Sequence, residues 1–214
     1  MKGIVFCDLD GTLIDSRKDL ANAVNFARKR LSLKKLPVEE IISYVGNGVK
    51  KLLERSFYGT NVNTLDALFI MKEYYSEHLL DNTKLYDGVS EGLDIIKKSD
   101  FALVLLSNKI YEHAIEILKS FELYNKFNMV IADNGTIPLK PAPDAVFLAI
   151  EKLKISKDFS WIIGDNWTDI LCGRNAGIKT AFASYGFGRL NGEKFDFFAR
   201  NFLHFAEMIS KLPV

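Results

Sequence analysis

The hydrophobic positions of this chain follow two different periods, and the change between them divides it. Gly3–Cys7 is a short apolar run, rich in branched residues, that ends directly in acid, as a strand buried on both faces does. Ser16 followed by Asp19 predicts a helix start of capping-box type. Leu20, Ala23, Val24, Ala27 and Leu31 then recur at helical spacing, and Pro37 breaks that helix. Two short helices are expected over 38–44 and 49–57, separated by Gly46-Asn47-Gly48. A longer one runs through Leu65, Leu68, Phe69, Tyr75 and Leu79 and ends near Asp81-Asn82.

After Tyr86-Asp87-Gly88 the rhythm changes. Helices are predicted over 90–98, 111–120, 144–153, 168–176 and 202–212, and strands over 101–106, 129–132, 160–163 and 179–183. Strands alternating with helices argue for βαβ units and a parallel sheet covered on both faces. The expected fold class is α/β: a doubly wound, Rossmann-like parallel sheet formed by 1–14 and 83–214, with 15–82 as an inserted α-helical domain.

Composition narrows the function classes. With 28 Lys and Arg against 27 Asp and Glu, the net charge is +1. Such a chain has no global field to draw in nucleic acid or a membrane surface, and neither is expected as a partner. Its apolar runs, such as Phe101–Leu106, fall far short of the roughly 20 residues that a membrane helix needs. The N-terminus enters its first strand without a signal-peptide apolar region, so a cytoplasmic location is expected. Cys7 and Cys172 are too few and too far apart for a disulfide framework or a zinc site. His78, His113 and His204 lack metal spacing and read as surface or satisfied helix residues.

In open parallel sheets, ligands bind beyond the carboxyl ends of the strands. Four polar clusters follow strands here: Asp8-Leu9-Asp10-Gly11-Thr12-Leu13, Ser107-Asn108-Lys109, Lys140 before the helix at Asp144, and Gly164-Asp165-Asn166-Trp167-Thr168-Asp169. Acids gathered at one sheet edge repel one another unless a cation lies between them. All-oxygen donors point to Mg²⁺. A serine and a lysine beside such an ion suit a phosphate group. A carboxylate can attack phosphorus, and a second one two residues away can move the proton.

Together these clusters resemble the four motifs of the haloacid dehalogenase-like phosphatases, in order and each at its expected strand. The helical insert resembles that superfamily's small cap. Within it, Val45-Gly46-Asn47-Gly48-Val49 ahead of Leu52-Leu53-Glu54-Arg55 is similar to the cap segment of phosphoglycolate phosphatases. The resemblance implies Asp8 as nucleophile and Mg²⁺ ligand, and Asp10 as general acid/base that lends its carbonyl to the metal. It implies Asp165 as third ligand, with Asp169 supporting the metal directly or from behind. Ser107 and Lys140 would hold the transferring phosphoryl group, with Thr12, Gly46, Asn47, Gly48 and Asn108 also expected around the substrate. Lys50, Lys51 or Arg55 is expected to meet a substrate carboxylate. Asn166 departs from the serine or threonine frequent at its position, and Asp87 from a frequent proline.

The implied partner is a small phosphorylated metabolite, with 2-phosphoglycolate favoured, and the implied assembly a monomer or homodimer. The alternatives are a sugar-phosphate phosphatase or β-phosphoglucomutase, a nucleotidase or pyrophosphatase, and, outside enzymes, a phosphoaccepting signalling or interaction module. A receiver module is about half this length, has no cap and carries its phosphoacceptor after a later strand.

Overall fold

The structure, a computed structural model, describes residues 1–213. The chain opens with β1 (Gly3–Cys7) and crosses at β2 (Ile14–Asp15) into four helices: α1 (Arg17–Arg30), α2 (Val38–Ile42), α3 (Val49–Ser56) and α4 (Thr64–Glu77). It returns at β3 (Lys84–Leu85) and then alternates through α5 (Val89–Lys98), β4 (Phe101–Ile110), α6 (Tyr111–Ser120), β5 (Met129–Asp133), α7 (Asp144–Leu153), β6 (Trp161–Gly164), α8 (Trp167–Ala176) and β7 (Lys179–Ala183). It ends in β8 (Phe197–Ala199) and α9 (Phe202–Ser210).

Six strands form one parallel sheet in the order β5-β4-β1-β6-β7-β8. β1 lies between β4 and β6, so the winding reverses at its carboxyl end. That is where an open α/β sheet leaves a crevice. Alternation along β1 builds the two faces: Val5 and Cys7 join one apolar layer with α5 and α9, and Ile4 and Phe6 join the other with α7 and α8. All four side chains are fully buried. The fold is thus the expected doubly wound α/β sheet with an inserted helical cap.

Local details differ from the sequence reading. β4 continues to Ile110, through Ser107, with an irregularity in its pairing to β5 between Leu106 and Ile110. β8 was not expected, because a three-residue edge strand in Phe195-Asp196-Phe197-Phe198-Ala199 carries no clear alternation. The antiparallel β2–β3 ribbon, which ties together the two crossings into the cap, is too short to leave a pattern.

The start of α1 is a correction. Ser16 precedes α1, yet its side chain makes no capping bond. Its hydroxyl instead donates to Asp10 Oδ1 at 2.5 Å. Asp19 is buried and accepts from the backbone N–H and side-chain amide of Asn82 and from the N–H and hydroxyl of Thr83, at 2.8–2.9 Å. The acid that looked like half of a cap fastens the returning crossing to the outgoing helix.

Candidate active site

The carboxyl ends of β1, β4 and β6 bring Asp8, Ser107 and Asp165 to one place. Asp8 follows β1 directly, and its N–H donates to Ile163 O of β6 at 3.0 Å. Gly11 then turns the chain with φ +85°, and a Cβ there would stand 1.8 Å from Asp165 Oδ2. Only glycine combines that backbone with that approach. Asp165 is held from the other side by the N–H groups of Phe187 (2.9 Å) and Gly188 (2.6 Å).

Lys140 is the hub of the buried charges. Its Nζ donates to Asp8 Oδ1 at 2.7 Å, Asp169 Oδ1 at 2.6 Å and Leu106 O at 2.6 Å. Burial opposes its charge, but Asp169 and Asp8 outweigh burial and hold the ammonium above its ordinary range. Asp169 is oriented in turn by the N–H of Asn166, which meets its Oδ2 at 3.0 Å and completes a capping box at the start of α8. Asn166, the departure from serine or threonine, also reaches Val45 O in the cap at 3.5 Å.

Asp8, Asp165 and Asp169 each offer an oxygen atom within 4.8 Å of the others. Burial, with Asp169 and Asp10 adding to it and Lys140 opposing, pushes the Asp8 carboxyl up to about 7. Burial and then the charges of Asp8 and Asp169 raise Asp165 well above the ordinary carboxylate range, although the two N–H donors pull the other way. A divalent cation among these oxygens removes the repulsion and offsets the loss of water, so the donor set fits one.

Asp10 stands immediately before the turn at Gly11 and lines the same crevice. Lys109 Nζ donates to its Oδ1 at 3.0 Å and Oδ2 at 3.1 Å, and to the hydroxyl of Tyr75 in α4 at 2.8 Å. Ser107 Oγ accepts the N–H of Lys109 at 3.3 Å, which leaves its own proton free to donate. Asn108 is engaged on all sides: its amide group donates to Gly46 O (2.9 Å) and Lys140 O (3.0 Å), and its Oδ1 accepts the Lys140 N–H (2.8 Å). It fixes the lysine backbone and ties the cap loop to the core.

A cavity of about 80 Å³ lies between cap and core. Asp8, Asp10, Ser107, Lys140 and Asp165 line its core side, with Asn108 among them. Gly46 and Gly48 line its cap side together with Val45, Val49, Leu52, Met71 and Tyr75. Gly46 packs so closely that a Cβ would stand 2.5 Å from Asn166 Nδ2. Thr12 does not line the cavity; it is fully buried and its hydroxyl has no partner among the described residues. Asn47 also lies outside, where its Oδ1 accepts from Arg55 at 3.0 Å. Lys50, Lys51 and Arg55 are absent from the lining, and Lys51 pairs with Glu54 at 2.6 Å. Lysines that do face the cavity are Lys72, Lys109 and Lys140. Lys109 was read from the sequence only as a member of the cluster Ser107-Asn108-Lys109 and was given no role there; its place two residues after Ser107 at the end of β4 is the signal that could have assigned one. His113 is a satisfied helix residue, 2.9 Å from Ser76 Oγ, and it also lines the cavity.

The family of haloacid dehalogenase-like hydrolases matches residues 4–183. The chain is 33% identical over 189 residues to a phosphoglycolate phosphatase of Nitrosospira multiformis, covering 86% of this chain and 83% of that protein. It is 32% identical over 194 residues to one of Aquifex aeolicus, covering 91% and 90%. A crystal structure from Haemophilus somnus, described as a predicted phosphoglycolate phosphatase, superposes with a TM-score of 0.90 at 24% identity, over 97% of this chain and 98% of that one. The order of the motifs, the sheet with its helical cap and these relatives agree: the chain belongs to the haloacid dehalogenase-like hydrolase family, among its phosphatases.

Proposed function

We propose that this enzyme hydrolyses the phosphate monoester of a small phosphorylated acid, 2-phosphoglycolate first, through a phosphorylated Asp8. The observation that carries this reading is the placement of the Asp8 carboxylate, 2.7 Å from Lys140 Nζ, in a cavity that Ser107 and Asp10 also line. Asp8 attacks phosphorus while Asp10 gives a proton to the departing oxygen. Water then attacks the aspartyl-phosphate, Asp10 takes its proton, and phosphate leaves with Asp8 restored. Ser107 donates its free proton to a phosphoryl oxygen, and Lys140 offsets charge on the phosphoryl group and on Asp8. Asp169 positions Lys140.

Asp8, Asp165 and the Asp10 carbonyl would hold Mg²⁺, with Asp169 beside them. The ion supplies charge neutralisation and orientation of the phosphoryl oxygens. The relatives, phosphoglycolate phosphatases of Nitrosospira multiformis and Aquifex aeolicus, support this choice of substrate.

The test is a panel of phosphoglycolate, hexose phosphates, nucleotides and pyrophosphate with purified protein, in Mg²⁺ and in EDTA. The proposal expects phosphoglycolate to have the highest kcat/KM and EDTA to stop turnover. A nucleotide or hexose phosphate preferred over it, or full activity in EDTA, contradicts the proposal.

A further inference from the structure

We propose that Lys109, steadied by Tyr75 of the cap, is the specificity-determining residue that binds the carboxylate of the substrate's leaving group. The inference rests on the phosphomonoesterase reading above and deepens it. Lys109 lines the cavity, and its side chain is 5% exposed. Its ammonium has three protons and meets three acceptors, both oxygens of Asp10 and the hydroxyl of Tyr75. The Tyr75 ring lies beneath it, with the nitrogen 4.8 Å from the ring centre. The place beside Lys109 is therefore shaped for a carboxylate, because one already occupies it.

That occupant is also the proton carrier. For Asp10 to hydrogen-bond a departing oxygen in the cavity, it gives up part of its contact with Lys109. A buried ammonium left without its anion is costly, and the apolar cap residues that line the cavity, Val45, Val49, Leu52 and Met71, offer no anion in its place. A substrate that brings its own carboxylate offers one. Ser107 and Lys109 both line the cavity and lie two residues apart in β4, so their backbone positions are at most about 7 Å apart. A phosphoryl group at Ser107 and a carboxylate at Lys109 are then joined by a leaving group of very few carbons. The cations expected from the sequence for this role, Lys50, Lys51 and Arg55, do not line the cavity.

The test compares kcat/KM for 2-phosphoglycolate and for its neutral primary amide, which keeps size and leaving oxygen but removes the charge. The native enzyme with Mg²⁺ is expected to prefer the acid by about 10²-fold, the scale of losing one partner of a buried charge pair. Lys109→Met should reduce that preference to less than about tenfold, whatever happens to the absolute rates. Tyr75→Phe, which keeps the ammonium, should reduce it less. A native enzyme that hydrolyses acid and amide equally well overturns the proposal even if Lys109→Met does not fold. So does a Lys109→Met variant that slows both esters by the same factor, since the lysine would then act only through Asp10. A native enzyme inactive on every phosphate ester would instead sink the phosphatase reading beneath it.

Discussion

Gly11 and Asp165 interlock: the glycine's α-carbon lies so close to the acid that a single added methyl group would stand 1.8 Å from its Oδ2. The turn after the Asp8 strand and the acid after the fourth core strand are thus fitted to each other. Gly11→Ala adds the strain of a positive φ to that collision. It should lower stability by about 1–3 kcal/mol and cut kcat by more than tenfold, because relief of the clash displaces Asp165. Urea unfolding and steady-state rates together check this, and native-like values in both would contradict it.

Asp19 accepts four hydrogen bonds from Asn82 and Thr83 in a buried place. Asp19→Ala leaves those donors without a partner, each at about 1–3 kcal/mol if it finds no water. The expected loss is about 3–5 kcal/mol, the scale of breaking a buried charged contact. Chemical denaturation measures it, and a loss below about 1 kcal/mol would show that the crossing is held elsewhere.

His113 gives a pH dependence with a definite sign. Burial, followed by the nearby charges of Lys109 and Lys72, lowers it from 6.5 to about 4. The folded protein keeps the ring neutral where the unfolded chain already binds a proton. Its contribution is therefore fully present above pH 6.5 and is lost as pH falls toward 4. The native protein should lose more stability over that window than His113→Gln does, both measured with saturating Mg²⁺. Parallel curves would contradict the assignment.

The centre of the sheet was legible because its strands leave short apolar runs that end in polar residues, as Gly3–Cys7 does before Asp8, whereas the edge strand β8 leaves none. Asp8, Ser107, Lys140 and Asp165 stood out because each follows or faces a strand end. The pairings among them were hidden, since Lys109 meets Asp10 across 99 positions and Asp19 meets Thr83 across 64. Local spacing carries no trace of such contacts. The same limit explains why Ser16 and Asp19 read as a capping pair: their spacing fits a helix start, while their partners come from Asp10 and the returning crossing.

Asp10 and Asp165 should separate when metal binding and turnover are read apart. Asp10→Asn keeps the backbone carbonyl, so Mg²⁺ should still raise the melting temperature, while kcat falls by about 10²–10⁴. That loss should shrink, without vanishing, on 4-nitrophenyl phosphate, whose leaving oxygen needs no proton. Asp165→Asn removes a ligand, so the Mg²⁺-dependent rise in melting temperature should weaken, with activity partly recovered at high metal. Identical metal titrations for the two variants would show that this division of labour is wrong.

The central claim is that Asp8 carries the phosphoryl group. The most direct measurement is an acid quench of Asp10→Asn during turnover of ³²P-labelled 4-nitrophenyl phosphate, followed by mapping of the labelled peptide, because this leaving oxygen needs no proton while loss of the base slows breakdown of the intermediate. The account predicts acid-stable, hydroxylamine-labile label on the peptide that contains Asp8, and none when Asp8→Asn is added. Label on Asp165 or Ser107, or turnover that persists in Asp8→Asn, would contradict it.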